Sequence, residues 1–304
     1  MRANVKILVV GGTGLIGGHL ALRLQELGHA VELAARKPPA ATTALAKMPF
    51  YQVDYIGQEP DRDLLARFDA IVFAAGNDVR HVPAGADADV HWQRANAEAV
   101  PRFMAGVKRA GVRHAVLIGS FYPQAAPHLV KKNAYIASRL AADEGTRALA
   151  SDDFHVVVLN APFVVGHVPG LVVAGYHAIA LWALGRMPQV ERYVIPGGLN
   201  VISTDTLSDA VAGALARGKS GKAYLIGDEN LSFQSLFELF FKAGGDDKPL
   251  EVRDQEHPFL PDAVVFAGRG ATIYYEPSPD EVSELRYRRN DVARTVKLIV
   301  DAAR

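Results

Sequence analysis

The first 28 residues constrain the fold more than any other part of the chain. Apart from Lys6, Val5–Val10 is apolar, which is typical of a parallel strand that is covered on both faces. A glycine-rich turn follows at once, Gly11-Gly12-Thr13-Gly14-Leu15-Ile16-Gly17. Apolar residues then recur at helical spacing at Ile16, Leu20, Leu24 and Leu27, and Gly28 stands where a helix C-cap is expected. The order of strand, glycine turn and helix predicts the first unit of a parallel sheet that is flanked by helices.

The same alternation continues through the first two-thirds of the chain. Further strands are predicted at Val31–Ala35, Tyr51–Val53, Ile71–Ala74, Ala115–Ile118 and Val156–Leu159. Helices are predicted at Asp89–Ala110 and Tyr135–Leu149. This order predicts an α/β protein with a doubly wound parallel sheet, the Rossmann architecture.

The glycine turn is suited to bind the pyrophosphate of a dinucleotide. Backbone N–H groups at a helix N-terminus attract the anion, and glycines let the backbone approach it closely. The predicted contacts are Gly11, Thr13, Gly14, Leu15, Ile16 and Gly17. Folds that select NAD usually carry an acid after the second strand, whereas this chain has Arg36 and Lys37. Because cations suit a 2′-phosphate, we expect NADP rather than NAD.

The pattern changes after Pro162, where glycines interrupt a long apolar stretch. Short strands are predicted at Tyr193–Ile195, Val201–Ile202 and Ala223–Ile226, a helix at Ser232–Ala243 with Ser232 as its cap, and a helical tail at Asp280–Arg304. We therefore expect residues 1–165 to form the dinucleotide-binding domain, completed by about 193–228. A smaller substrate-binding lobe is expected from 166–192 and 229–304.

Composition removes several other classes of protein. The 33 basic and 33 acidic residues balance, which disfavours a nucleic-acid or membrane-surface partner. The chain has no cysteine, so disulfides and thiolate metal sites are excluded, and no histidines fall at metal-ligand spacing. Residues 171–184 are too few for a spanning helix, which needs roughly 20 residues. With no signal-peptide pattern at the N-terminus, a cytoplasmic protein is expected.

Several further motifs together resemble the extended short-chain dehydrogenase/reductase family, of the NAD-dependent epimerase/dehydratase type. They are Asp54 after the third strand, Ala74-Ala75-Gly76 after the fourth, Asn96 in the next helix, Gly119-Ser120 after the fifth, Tyr135, and Pro162-Phe163-Val164-Val165-Gly166. The resemblance covers nearly the whole chain. It implies that Asp54 contacts adenine and that Ala74, Ala75, Gly76, Asn96, Pro162, Phe163 and Val164 also line the cofactor.

The resemblance also implies a catalytic set. Reduction of a carbonyl leaves an alkoxide, so Tyr135 would be the acid/base and Ser120 would hold the oxygen. Where the family has lysine one helical turn after the tyrosine, this chain has Arg139, which can share a face with Tyr135. A guanidinium keeps its proton, so it cannot relay one as lysine can. In the alternative, Tyr135 only packs, Arg139 pairs with a nearby acid such as Asp143, and the site is catalytically silent.

Substrate contacts are predicted after the fourth and fifth strands and in the lobe. The candidates are Arg80, His81, Phe121, Tyr122, Tyr176 and Trp182, with lobe core as the alternative for the aromatic residues. Two positions are less polar than in the family, because Ala161 replaces the usual arginine and Val165 the usual tyrosine. Both changes count against a nucleotide-sugar substrate.

These observations predict an NADP-dependent oxidoreductase that acts on a carbonyl or secondary alcohol of a largely apolar small molecule. Two alternatives stay open: an epimerase or dehydratase that retains its cofactor, and an NADP-binding sensor without catalysis. The helices at Asp89–Ala110 and Tyr135–Leu149 correspond to those through which many relatives dimerise. A homodimer is therefore expected.

Overall fold

A computed structural model describes residues 4–304. The strands are β1 (Lys6–Val10), β2 (Ala30–Ala35), β3 (Phe50–Gln52), β4 (Ala70–Phe73), β5 (His114–Ser120), β6 (His155–Ala161), β7 (Phe163–Val165), β8 (Tyr193–Val194), β9 (Gly198–Ser203), β10 (Ala223–Leu225), β11 (Glu229–Ser232), β12 (Glu251–Val252) and β13 (Thr272–Ile273). Strands β1 to β6 match the six runs predicted from the sequence, with small differences at their ends.

The central layer is a parallel sheet. Within residues 4–304 it contains seven strands in the order β10-β6-β5-β4-β1-β2-β3. The order reverses between β1 and β4, and open α/β sheets bind ligands beyond the carboxyl ends of the strands at such a point. The predicted doubly wound parallel sheet is confirmed.

Helices cover the sheet and build the lobe. They are α1 (Leu15–Glu26), α2 (Arg62–Leu65), α3 (Ala88–Trp92), α4 (Ala99–Arg109), α5 (Tyr122–Ala125), α6 (Ala134–Arg147), α7 (Ala174–Ala183), α8 (Thr204–Arg217), α9 (Phe233–Gly244), α10 (Pro279–Leu285) and α11 (Val292–Asp301). Ser232 caps α9 as predicted, because its Oγ accepts from Ser235 N at 2.9 Å.

Both faces of the central sheet are buried. Ile7 and Val9 of β1 pack with α1 and α8, whereas Leu8 and Val10 pack on the opposite face with α4 and α6. Successive residues of a strand point to opposite faces, so a strand that is covered twice is apolar at most of its positions. This burial explains why Ile7–Val10 are all apolar.

The lobe has its own core and its own sheet. Its core lies among α7, α9 and α11, while β9 pairs with β7, β11 and β13. Of the three strands predicted between 193 and 228, β10 joins the central sheet, whereas β8 pairs with β12 and β9 is central in the lobe sheet. The proposed boundaries of the dinucleotide-binding domain and the substrate lobe stay predictions.

Two helices predicted as continuous are interrupted. Residues 93–98, between α3 and α4, form a π-helix. The tail is divided between α10 and α11, where Arg286 and Asn290 adopt left-handed φ values of 55° and 63°. The break is held by Asp228, whose carboxylate accepts from Asn290 N at 2.6 Å and Asp291 N at 3.2 Å. Among the described residues, no helix combines the length and apolarity needed to cross a membrane.

Candidate functional site

The glycine turn packs tightly between β1, α1 and the end of β4. Gly11 has a φ of +83°, and a Cβ there would lie 2.8 Å from Ala75 N. A Cβ on Gly17 would lie 2.3 Å from Gly11 O. Gly14 is the N-cap of α1, and among the described residues no side chain caps the helix there. The turn is therefore a cradle of backbone donors, and its shape fits the pyrophosphate of a dinucleotide.

The residues predicted for the adenosine half follow β2 and β3. Arg36 and Lys37 come directly after β2 and are exposed. Asp54 follows β3, and its Oδ1 accepts from Ile56 N at 3.1 Å. Since the carboxyl ends of parallel strands share one edge of the sheet, these side chains lie at the same edge as the glycine turn. Their contacts with a cofactor stay predictions.

Asn96 lies in the π-helix and is buried. Its Nδ2 donates to Asn77 O at 3.0 Å and to Ser138 Oγ at 3.1 Å, and its Oδ1 accepts from Asn77 N at 3.3 Å. Its amide thus ties the segment after β4 to helix α6, the helix of Tyr135. A π-helix often marks a functional position, because it turns a side chain out of the regular helical register.

Asn77, which was not singled out from the sequence, lies against Asn96. Its Nδ2 donates to Tyr55 Oη at 2.5 Å, and its Oδ1 lies 3.2 Å from His91 Nε2. Burial raises the pKa of Tyr55 to about 12, so this phenol stays protonated. The available signal was a polar residue directly after the Ala74-Ala75-Gly76 motif, where the strand end turns into the site.

Tyr135 and Arg139 meet as their spacing on α6 predicts. Both are buried, with 8% and 9% of their surface exposed. Arg139 Nη1 donates to Tyr135 Oη at 3.4 Å, and Nη2 donates to Ile118 O of β5 at 2.9 Å. A Cβ on Gly76 would lie 2.8 Å from Nη1. The guanidinium is therefore enclosed by the ends of β4 and β5 and by the tyrosine.

Asp143 does not pair with Arg139. Its Oδ1 accepts a short hydrogen bond from Arg147 Nε, and its Oδ2 accepts from Asn160 Nδ2 at 2.7 Å. The guanidinium of Arg139 therefore donates its hydrogen bonds to the Tyr135 oxygen and to a backbone carbonyl. The example pair of Arg139 with Asp143 is therefore not formed, and the catalytically silent alternative stays open.

Aromatic rings surround Tyr135. The ring of Phe266, from the lobe, stacks on Tyr135 with centroids 4.3 Å apart and an interplanar angle of 15°. Trp92 meets Tyr135 at 5.5 Å, and Tyr122 meets Phe266 at 5.8 Å, both edge to face. We call Trp92, Tyr122, Tyr135 and Phe266 the aromatic box. Neither Trp92 nor Phe266 was singled out from the sequence, since nothing local places either ring beside Tyr135.

Ser120 ends β5 and is buried, and the next two residues of the chain lead into the same region. Phe121 packs its ring 4.2 Å from that of Tyr122, and its N–H donates to Ala161 O at 3.1 Å. Two of the predicted substrate contacts, Phe121 and Tyr122, therefore lie with Tyr135 in one apolar cluster.

Arg80 and His81 are held by a neighbouring acid. Arg80 Nε lies 3.0 Å from Asp78 Oδ2, and His81 Nδ1 lies 3.1 Å from Asp78 Oδ1. Burial alone would raise the pKa of Asp78, but hydrogen bonds from His81 and Arg80 hold it well below its usual range. The charge of Arg80 is thus largely compensated within its own turn.

Tyr176 and Trp182 lie in the core of the lobe rather than in the aromatic box. Tyr176 Oη donates a short hydrogen bond to Val164 O, and its ring meets Phe163 edge to face at 6.5 Å. The indole N–H of Trp182 donates to Val190 O at 3.1 Å. Pro162 joins β6 to β7, so Phe163 and Val164 are placed by pairing of β7 with β9.

The sheet order, the glycine cradle at the switch point and the Tyr135–Arg139 pair beside it define a Rossmann-fold protein of the short-chain dehydrogenase/reductase class. The sequence matches the model of the NAD dependent epimerase/dehydratase family over residues 7–183. The chain belongs to this family. The resemblance stated from the sequence motifs is confirmed at that level.

Solved structures share the whole fold. A UDP-glucose-4-epimerase from Stenotrophomonas maltophila, with bound NAD and formylated UDP-arabinopyranose, has a TM-score of 0.75 and 18% identity, covering 99% of this chain and 98% of that one. A putative epimerase from Burkholderia cenocepacia J2315 has a TM-score of 0.72 and 17% identity, covering 100% and 99%. RMD from Pseudomonas aeruginosa, complexed with NADPH, has a TM-score of 0.69 and 17% identity, covering 99% and 98%. No curated protein matches the sequence. At these identities the likeness concerns the fold.

Proposed function

We propose that this protein is an NADP-dependent oxidoreductase that interconverts a carbonyl and a secondary alcohol on a largely apolar small molecule. The observation that carries the proposal is the Tyr135–Arg139 pair, in which a buried guanidinium donates to the phenol oxygen at 3.4 Å. The pair lies at the carboxyl ends of β4 and β5, next to the glycine cradle. This is the arrangement of a proton donor with a fixed cation beside the oxygen that will carry negative charge.

A nicotinamide cofactor fits the glycine cradle and the family. The bound nicotinamide supplies the hydride in reduction and accepts it in oxidation. The exposed pair Arg36 and Lys37 favours NADP, because it follows β2 where a 2′-phosphate would lie. Structural neighbours described with NAD and with NADPH are compatible with either form, so the two cations are the basis for the choice.

The chain's own residues then handle the proton. In reduction Tyr135 donates its proton to the carbonyl oxygen, and Ser120 donates a hydrogen bond to the same oxygen. Arg139 offsets the charge left on the Tyr135 oxygen, since its two bonds to Tyr135 and Ile118 fix it in place. A guanidinium keeps its proton, so solvent must return the proton to Tyr135.

The proposal is tested by NADPH oxidation with a panel of aldehydes and ketones, followed by the Tyr135→Phe and Ser120→Ala variants. We expect turnover in the wild type, its loss in Tyr135→Phe and a decrease in Ser120→Ala. The matched control is Tyr51→Phe on β3. This variant removes a phenol hydroxyl that donates to Glu32 Oε2 at 2.7 Å. Full activity in Tyr135→Phe would exclude the assigned role.

An epimerase that retains its cofactor is the second candidate, because several structural neighbours are described as epimerases. It predicts binding of a nucleotide sugar and no net consumption of NADPH. The apolar Ala161 before Pro162 and the aromatic surroundings of Tyr135 count against it. Calorimetric titration with UDP-glucose discriminates the two, since the oxidoreductase should show no binding.

We also propose a homodimer that forms through α4 and α6. Ala105, Ala137 and Ala141 of these helices are half-buried and short, so the same helices of a second copy could approach closely. Light scattering after size exclusion should give twice the 32.7 kDa chain mass. Ala141→Glu should then give the monomer, whereas a monomeric wild type would exclude the dimer.

A further inference from the structure

The aromatic box contains a donor that the chain itself leaves unused. Trp92 is 8% exposed, and its Nε1 has no hydrogen-bond partner among residues 4–304. A buried indole N–H usually finds a partner, because leaving it unpaired destabilises the fold. Trp182, in the lobe core, follows this rule with its bond to Val190 O.

Packing alone does not account for an indole at position 92. The ring of Trp92 meets Tyr135 at 5.5 Å and Phe266 at 6.2 Å, both edge to face. A phenylalanine at this position could make edge-to-face contacts of the same kind without burying an unpaired N–H. The N–H therefore points to an acceptor that belongs to a ligand.

Phe266 covers the place where such a ligand would lie. Its ring is half-buried and stacks on Tyr135, and it also meets Trp92 and Tyr122. Residues 268–270, two positions further along the chain, are exposed, and Phe266 lies in the lobe outside the central sheet. The stacking shows that this space accepts a flat ring against the face of Tyr135.

The cations of the region are already engaged by other residues, which favours a neutral ligand over an anion. Asp78 compensates Arg80, and Arg139 is engaged by Tyr135 and Ile118. Burial raises the pKa of Tyr122, so this phenol also stays neutral. Because the box is formed by aromatic rings, dispersion and edge-to-face contacts select a ligand by its shape. One polar group then sets the orientation of that ligand.

We propose that Trp92 is a specificity-determining residue that donates its indole N–H to an oxygen of the substrate, and that the substrate is a flat, conjugated carbonyl compound with a second oxygen. The ring of the substrate replaces that of Phe266, and the reacting carbonyl meets the Tyr135 hydroxyl. This inference rests on the proposed oxidoreductase function for the reaction, but the binding that it predicts is measured without turnover.

The test compares two probes that differ by one oxygen, 1-phenylpropane-1,2-dione and propiophenone. Their dissociation constants are measured by calorimetry with the NADP-saturated full chain, for the wild type and for Trp92→Phe. We expect Trp92→Phe to weaken binding of the dione by roughly 5- to 50-fold. The dissociation constant for propiophenone should stay within about twofold of the wild-type value. Tyr51→Phe is the control, with both constants unchanged.

A third probe, 1-cyclohexylpropane-1,2-dione, tests the flat ring, because it keeps both oxygens but is not planar. It should bind at least about fivefold more weakly than the phenyl compound. The thermal midpoint of Trp92→Phe should not fall below that of the wild type by more than a few degrees, since no internal hydrogen bond is removed.

Three results would overturn the inference: equal weakening of both phenyl probes in Trp92→Phe, equal binding of the phenyl and cyclohexyl diones, and no binding of any probe at millimolar concentration. The proposed oxidoreductase reaction is tested independently of this inference. If the dione binds through Trp92 but NADPH is not oxidised, the inference stands and the oxidoreductase does not. If NADPH is oxidised with no dependence on Trp92, the reverse holds.

Discussion

Replacing Arg139 by methionine removes the charge beside Tyr135 while keeping most of the side-chain volume. The nearest guanidinium nitrogen lies 3.4 Å from the Tyr135 oxygen. With an effective dielectric constant of about 20, a full charge at that distance interacts by about 5 kcal/mol. A half charge on the oxygen in the transition state reduces this to roughly 2.5 kcal/mol. We therefore expect kcat to fall by roughly 50- to 100-fold.

The assay is NADPH oxidation with 1-phenylpropane-1,2-dione, compared among the wild type, Arg139→Met and Arg139→Lys. Lysine restores the cation, so its kcat should stay within about tenfold of the wild type, while the dissociation constant for NADP reports any loss of binding separately. Urea unfolding controls for the lost bond to Ile118 O. If Arg139→Met keeps kcat within about threefold while Tyr135→Phe is inactive, the charge has no catalytic role.

Three further predictions concern the cofactor and the lobe. In calorimetric titration, Arg36→Ala should weaken NADP binding by roughly 10- to 100-fold and leave NAD binding unchanged. An equal loss of affinity for both cofactors would contradict a phosphate contact. Gly17→Ala places a Cβ 2.3 Å from Gly11 O, so both cofactors should bind much more weakly, whereas Gly175→Ala, with nothing within 4 Å, should bind them as the wild type does. Burial lowers the pKa of His257 to about 4, so the folded protein resists a proton that the unfolded chain accepts below about pH 6.5. Stability should therefore fall between about pH 7 and pH 4.5, by roughly 2 to 3 kcal/mol more in the wild type than in His257→Asn, as measured by urea unfolding, and equal slopes would exclude this cause.

The central sheet was predictable because its strands are buried on both faces. Such strands are apolar at most positions, and this pattern can be read from a few consecutive residues, as in Ile7–Val10. The glycine turn is equally local, since Gly11 and Gly17 are needed by the close approach of backbone atoms within a few residues. The Tyr135–Arg139 contact follows from helical periodicity, which brings residues four apart to one face.

The interruptions of the helices were not predictable in the same way. The tail reads as one helical stretch, but it breaks where Asp228 takes the N–H groups of Asn290 and Asp291. The π-helix likewise depends on Asn96, whose amide bonds to Asn77 and Ser138. In both places a distant residue supplies the partner, and a periodic pattern carries no information about distant partners.

The substrate residues show the same limit. Phe121 and Tyr122 follow β5 directly, so strand position alone brings them near Tyr135. Trp182 was a candidate on its aromatic character, but it packs in the lobe core with Phe241 at 4.7 Å. Phe266 reaches Tyr135 only because the lobe folds back onto the sheet, and its sequence surroundings contain no periodic or motif signal.

Family membership and the site can be reconciled by treating the two halves of the cleft separately. The cofactor half keeps what the family needs: a glycine cradle, a tyrosine and a cation one turn later. A nucleotide diphosphate in the other half would need a free cation, yet Arg80 is already bound by Asp78. What remains around the tyrosine is aromatic, with one indole N–H that has no partner among residues 4–304. These contacts are the reason why we propose an apolar, ring-bearing substrate rather than a sugar nucleotide.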